Sequence, residues 1–212
     1  MSEKPGFFSM VKLGIVLALY AATACVGLAF VYTGTSGIIA QRQQADLEAA
    51  LRELFPTADS FKPIGDIVSP DPMVSIEGDR ENPGNTGAFE AVKNNSTLGL
   101  AIRTSRASYS GPIKILVGVG TDAKIKGIKI LENNDTPGLG GNAGSKTYFI
   151  DRARGLHFYD QFRGKPVEDP FVAKQDVVAI TSATITSAAI SASVKAAGEA
   201  ALNWMRNSGR LH

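Results

Sequence analysis

One seven-residue run, Thr181-Ser182-Ala183-Thr184-Ile185-Thr186-Ser187, gathers hydroxyl side chains where the pattern of the chain changes period. Upstream, Asp176 to Ile180 (Asp-Val-Val-Ala-Ile) is a short β-branched apolar run and predicts a buried strand. Downstream, Ile190, Val194, Ala197, Ala201 and Trp204 recur at helical spacing and predict one face of an amphipathic helix. Thr186 or Ser187 is its natural N-cap. Thr184 then lies at a strand-to-helix junction, where unpaired N–H groups and the positive end of the helix dipole favour an anion such as phosphate. On residue types alone, plain helix capping is the commoner explanation of such a run.

A second stretch offers backbone rather than side chains. In Asn133-Asn134-Asp135-Thr136-Pro137-Gly138-Leu139-Gly140-Gly141, Pro137 presets φ and Gly138 tolerates positive φ, so Thr136 to Leu139 suits a type II turn. Gly140 and Gly141 lack side chains that would keep a ligand from the backbone. Two nucleotide-binding patterns overlap this loop and fail on context. Gly138 to Ala143 matches G-x-G-x-x-A, but the preceding strand belongs to a hairpin and not to a parallel βαβ unit. Gly141 to Thr147 is similar to a P-loop, but Ser145 separates the glycine from Lys146. His157 has no second ligand at metal spacing, so a surface or core role is expected and no metal. No Ser-His-Asp order or C-x-x-C pair argues for hydrolysis or thiol redox chemistry.

The elements that must position these residues follow from hydropathy. Leu13 to Tyr32 carries no charge and is long enough to cross a bilayer core of about 30 Å. Lys4 and Lys12 precede it and the next basic residue is Arg42, so the N-terminus is expected in the cytoplasm and the rest outside. A cleaved signal peptide or a lipid on Cys25 competes with this anchor, but the apolar run is too long for the one and continues past the cysteine for the other. Leu47, Leu51 and Leu54 predict a helix from Ile38 to Leu54, ended by Phe55-Pro56 and packed on the domain. Thr57 to Asn85 reads as irregular apart from a weak strand at Met73–Ile76.

Two hairpins follow: Phe89–Lys93 with Leu98–Ile102 around Asn94-Asn95-Ser96, and Ile113–Val119 with Ile125–Leu131 around Gly120-Thr121-Asp122. Each second strand carries a glycine near its start. Lys146 to Gly155 suits a short helix with Tyr148 and Phe149 inward, and Phe158, Phe162 and Phe171 are candidate core. The fold class expected is α+β: residues 1–12 cytoplasmic, 13–32 transmembrane, 33–56 a helical spacer, and 57–212 one domain with an antiparallel sheet, helices on one face, and a C-terminal helix beginning just after Thr184. With 212 residues, 44% hydrophobic content and a formal charge of +2, there is no basic stripe to argue for nucleic acid.

Thr181-Ser182-Ala183-Thr184, followed by Ile185-Thr186-Ser187, resembles the [ST]-[GS]-A-T-x-T-S signature of the FMN-binding domain family. Asp135 to Gly140 is similar to that family's [DE]-T-P-G-L-G, Gln161-Phe162-Arg163-Gly164-Lys165 to its Q-F-x-G-K, and Tyr109-Ser110-Gly111-Pro112 to its Y-S-G-P. Behind a membrane anchor, this order is most similar to G subunits of Rnf electron-transport complexes. Ser182 stands where glycine is commoner, and Val178 where an acidic residue is usual, with Asp176 two places earlier. The resemblance implies FMN esterified through its phosphate to Thr184, with Thr136, Pro137, Gly138, Leu139 and Gly140 as a second wall and Thr181, Ser182, Ala183, Thr186 and Ser187 around the attachment point. It also implies a separate flavin transferase using FAD, other Rnf subunits and membrane lipid as partners, and electron relay between ferredoxin and NAD with no turnover by this chain alone. The flavin-carrying component of the sodium-pumping NADH:quinone reductase shares the motif, and a non-redox anchored binding or assembly protein is the reading from another class.

Overall fold

The computed structural model describes residues 7–65, 67–76, 78 and 86–211. The stretch 1–12 expected in the cytoplasm and the segment 57–85 expected to be irregular therefore lie partly outside the described residues. Contacts divide the chain into two units, Met1–Asp46 and Leu47–His212.

Helix α1 is continuous over Phe7–Leu54, 48 residues. Leu13 to Tyr32 lies inside it, and its most apolar window has a mean hydropathy of 2.2 with none of its residues buried. Leu17 and Phe30 are 73% and 75% exposed, which disfavours water as the solvent of this segment and is ordinary in lipid. Thr23, Thr33 and Thr35 turn their hydroxyls back onto carbonyls four residues earlier, so these polar side chains are satisfied within the helix.

The second unit is built on a six-stranded antiparallel sheet. Its strands are β1 (Ser60–Ile64), β2 (Val74–Ile76), β3 (Ala88–Lys93), β4 (Ser96–Ala107), β5 (Pro112–Gly120) and β6 (Ile125–Glu132). They lie in the order β1-β3-β4-β5-β6, and β2 pairs with the far end of β4. Both hairpins are as expected. Asn94 and Asn95 take φ of 47° and 63°, the left-handed pair that a two-residue hairpin turn needs and that asparagine tolerates. Strand β1 was not expected: its residues alternate weakly, and Pro63 and Lys62 mark it as an edge strand, where an unpaired outer side costs least.

The sheet is covered on both faces rather than one. Helix α2 (Thr184–Asn207) lays Ile190, Val194, Ala197, Ala201 and Met205 against Leu100, Ile102, Ile115, Val117 and Val119. Met205 is fully buried and Trp204 only half so, a rotation of the expected face by one residue. On the opposite face Leu47, Leu51, Leu54 and Phe55 pack on Phe89, Ala91, Ala101 and Leu116. From Ile115 onward strand β5 is therefore buried on both sides and reads as a continuous apolar run. Each large side chain so buried contributes on the order of 1.5–3 kcal/mol. The glycine repeated in the second strand of each hairpin lies under the end of α1: a Cβ at Gly99 would collide with the Val119 carbonyl of β5 and lie 3.0 Å from the Phe55 ring, and one at Gly127 would lie 3.1 Å from Leu54.

Lys146 to Gly155 is not a helix. It forms most of a small hairpin, β7 (Phe149–Asp151) with β8 (Leu156–His157), in which Tyr148 and Phe149 are half-buried. The Asp151 carboxylate accepts the N–H groups of Ala153 and Arg154, and Gly155 takes φ of 63°, so local side-chain bonding closes a turn where a helix would need those donors.

Candidate functional site

The segment expected as a strand before Thr184 makes no ladder; only an isolated bridge joins Ala173 and Val177. Turn-like backbone bonds at Val177 and Ile180 and side chains from elsewhere hold it instead. Asp176 accepts the N–H of Phe171 at 3.1 Å and of Val172 at 2.6 Å, and pairs with the Lys165 ammonium at 3.2 Å. The Gln161 amide takes both the N–H and the carbonyl of Val178, at 2.8 and 3.1 Å. Phe162, between these two clamps, is fully buried beside Phe158 and near Phe171. The Gln161–Lys165 signature thus holds an apolar run in irregular conformation, which β-branching cannot reveal. Burial opposes ionisation of Asp176, but its bonds to Val172, Lys165 and Phe171 outweigh it and hold the carboxyl below its ordinary range. Asp176 is occupied by this work inside the chain.

From there the chain turns through Ser182, at φ of 60°, into α2. A non-glycine residue in that region carries a strain of about 1–2 kcal/mol that glycine would not. Ser182→Gly is accordingly expected to raise the stability of the detergent-solubilised protein by about 1 kcal/mol in a denaturant titration, net of the entropy glycine adds to the unfolded chain. A loss of stability would show that the strain is absent.

Helix α2 begins at Thr184 itself, with Ala183 as the N-cap residue and no side-chain cap. The expected capping by Thr186 or Ser187 does not occur, because the helix starts before them and both lie within its first turns, with their hydroxyls engaged elsewhere. Ser187 donates to the Ala183 carbonyl and accepts the Ile180 N–H, each at 2.9 Å, closing the 180–187 turn. Thr186 donates to Asp135 at 2.5 Å. Thr184 is left exposed as the first helical residue, flanked by exposed Thr181, Ser182 and Ile185, while Ala183, Thr186 and Ser187 are buried. The Thr181 N–H points to the Tyr148 hydroxyl at 3.4 Å. No acidic side chain occupies the first turn of α2.

The second stretch meets this turn. The Leu139 N–H bonds to the Thr136 carbonyl at 3.1 Å and Gly138 takes φ of 82°, which is the expected type II turn. Thr136, Pro137, Gly138 and Leu139 are exposed; Gly140 is buried. The space beside Gly140 is filled by protein: a Cβ there would collide with Thr186 Oγ1 and lie 2.7 Å from Asp135 Oδ2. The loop and the helix start are therefore in contact through Gly140, Asp135 and Thr186.

Asp135 is 6% exposed and both its oxygens are engaged. Oδ1 accepts the Ser110 N–H at 2.7 Å, and Oδ2 accepts the hydroxyls of Ser108 and Thr186, each at 2.5 Å. Burial alone would raise its pKa; the bonds from Ser108, Thr186, Ser110 and Tyr109 reverse that and keep it below the ordinary carboxylate range. Asp135, Gln161 and Lys165 stood in recognisable signatures without a visible role, and Ser108 gave no signal in sequence. His157 sits between the rings of Phe149 and Tyr159, its Nδ1 2.9 Å from the Tyr148 carbonyl.

An exposed threonine at an uncapped helix start thus lies next to a glycine-containing turn, in a chain that also carries a long, exposed apolar helix. Residues 108–199 match the FMN-binding domain family and residues 1–54 the RnfG N-terminal region. The chain belongs to the family of G subunits of ion-translocating oxidoreductase complexes. It is 31% identical over 201 residues to the G subunit of the ion-translocating oxidoreductase complex of Aliivibrio fischeri, covering 89% of each chain. It is 29% identical over 194 residues to the G subunit of the Na(+)-translocating ferredoxin:NAD(+) oxidoreductase complex of Acetobacterium woodii, covering 86% of this chain and 87% of that one. A solved structure, Shewanella oneidensis NqrC, aligns with a TM-score of 0.45 at 15% identity over 72% of this chain and 73% of that one.

Proposed function

We propose that this chain is the flavin-carrying electron-relay subunit of a membrane-bound ferredoxin:NAD oxidoreductase that moves ions, with FMN esterified through its phosphate to Thr184. The observation that carries the reading is the exposed Thr184 at the uncapped start of α2. There the N–H groups of the first turn have no intrahelical partners and attract a phosphate. The exposed apolar Leu139 and Ile185 fit a flavin ring, being next in sequence to Gly140 and Thr186, where the two walls touch.

Bound FMN supplies one- or two-electron transfer, and the protein's part is to hold and orient it. Thr184 is a tether, not an acid or base in turnover. Its oxygen bonds to the FMN phosphorus of FAD as the bond to AMP breaks, AMP leaves, and the hydroxyl proton passes to solvent. An unactivated hydroxyl does this slowly, so a separate flavin transferase is required. Under denaturing electrophoresis, the chain from its own host is expected to fluoresce under ultraviolet light. A dark band at its mass would favour the non-redox anchored protein.

The arrangement proposed is 1–12 in the cytoplasm, 13–32 in lipid, 33–56 as spacer and 57–212 as the FMN domain on the outer side, supported by Lys4 and Lys12 before the span. Protease added to intact spheroplasts is expected to digest the domain completely. Full protection, with digestion only after lysis, would place it in the cytoplasm.

A further inference from the structure

We propose that Asp135 is the positioning residue of the flavin site: its carboxylate fixes the first turn of α2 and so sets where the Thr184 hydroxyl points. The inference rests on the reading that Thr184 carries FMN. Thr186 lies two places beyond Thr184, and its bond to Asp135 ties this turn to a segment distant in sequence, whereas Ser187 bonds only within the adjoining loop.

Asp135 is itself immobilised. Ser110 holds one oxygen, Ser108 and Thr186 share the other, and Asn133 Oδ1 accepts its backbone N–H at 3.0 Å. Gly140 fills the remaining space against both Asp135 and Thr186. The β4–β5 link, the β6 loop and the helix start therefore meet at one carboxylate.

The choice of an ionised group here is informative. A buried carboxylate is costly to desolvate, and among the described residues no cation pairs with Asp135. A neutral staple would hold two loops together at less cost. What the carboxylate adds is acceptor capacity only: it takes two hydroxyls and an N–H together. Asparagine has an amide nitrogen in place of one oxygen, and that nitrogen donates toward the Ser108 and Thr186 hydroxyls instead of accepting from them. The hydroxyls must then accept where they had donated, so the bond that orients the turn is reversed, uncharged and weaker while size and shape remain.

The test uses the purified full-length chain in detergent with FAD and a flavin transferase, following labelling of Thr184 by intact mass. Thr186→Val is expected to slow labelling by about tenfold, the lower end of what one hydrogen bond to a charged group is worth, and Asp135→Asn by about threefold to tenfold, since its bond is weakened and not removed. Thr186→Ser keeps the hydroxyl and is expected to label at close to the parent rate. The Asp135→Asn/Thr186→Val double variant is expected to be no slower than its slower parent, since both changes act on the same bond. Lys195→Met is the control for general destabilisation. It removes an ammonium bonded to the carbonyls of Val167, Glu168 and Asp169, and is expected to lower Tm while labelling normally. Parent rates in Asp135→Asn and Thr186→Val would overturn the proposal, as would equal slowing in Lys195→Met at a matched Tm. If Asp135→Asn does not accumulate, Thr186→Val decides alone. A parent chain that takes no FMN on Thr184 would overturn the underlying reading instead.

Discussion

Replacing Thr184 by valine is expected to yield a folded, membrane-bound protein that carries no FMN. Thr184 is exposed, and no hydrogen bond of its hydroxyl appears among the described residues, so the fold loses little with it. Exposed substitutions of this kind usually change stability by less than about 0.5 kcal/mol. Valine retains the branched Cβ and removes the only atom able to form the ester. Thr184→Ser keeps that atom with more rotational freedom and is expected to retain partial labelling. In-gel fluorescence with intact mass checks both variants. An FMN-sized adduct surviving in the valine variant would move the attachment to another hydroxyl.

The second large effect concerns two neighbouring glycines that are glycine for different reasons. At Gly138 an added Cβ meets nothing within 4 Å, so Gly138→Ala costs only the strain of positive φ, about 1 kcal/mol. At Gly140 the backbone is not in the left-handed region, but the added Cβ collides with Thr186 Oγ1 and Asp135 Oδ2. Either the loop withdraws from α2, or Asp135 rotates and leaves buried donors unpaired. Overpacking and lost hydrogen bonds together are expected to cost about 3 kcal/mol or more in Gly140→Ala. Flavin incorporation should fall with it, because the two walls no longer meet. Denaturant titration of the two variants in detergent checks the order, and a larger loss at Gly138 would contradict the packing at Gly140.

The legible parts of this protein were those in which one physical rule dominates. An uncharged apolar span, two alternating hairpins with polar turns, and a helix with a repeating Ile, Val and Ala face all stand where their patterns place them. The parts that were not legible are those where side chains replace the backbone's usual partners. Asp176 to Ile180 has strand composition, yet Gln161, Lys165 and Ser187 supply contacts from outside the run, and local propensity cannot register them. Thr186 and Ser187 have cap chemistry, but a contact between positions 135 and 186 diverts the first and a local turn the second. Asp151 converted an expected helix into a hairpin by the same means. At the candidate site the sequence pattern pointed to Thr184 and, separately, to the turn. It could not disclose that Asp135 joins them, because that node combines Ser108, Ser110 and Thr186, residues that share no local pattern.

Thr184 is proposed to carry FMN as a phosphoester. Peptide mass mapping of the unaltered protein from its own host tests it most directly, because the peptide containing residues 181–187 reports both the modification and its position. An FMN-sized mass increase is expected on that peptide, localised by fragmentation to Thr184. An unmodified peptide, or the same increase localised to Thr181, Ser182, Thr186 or Ser187, would contradict it.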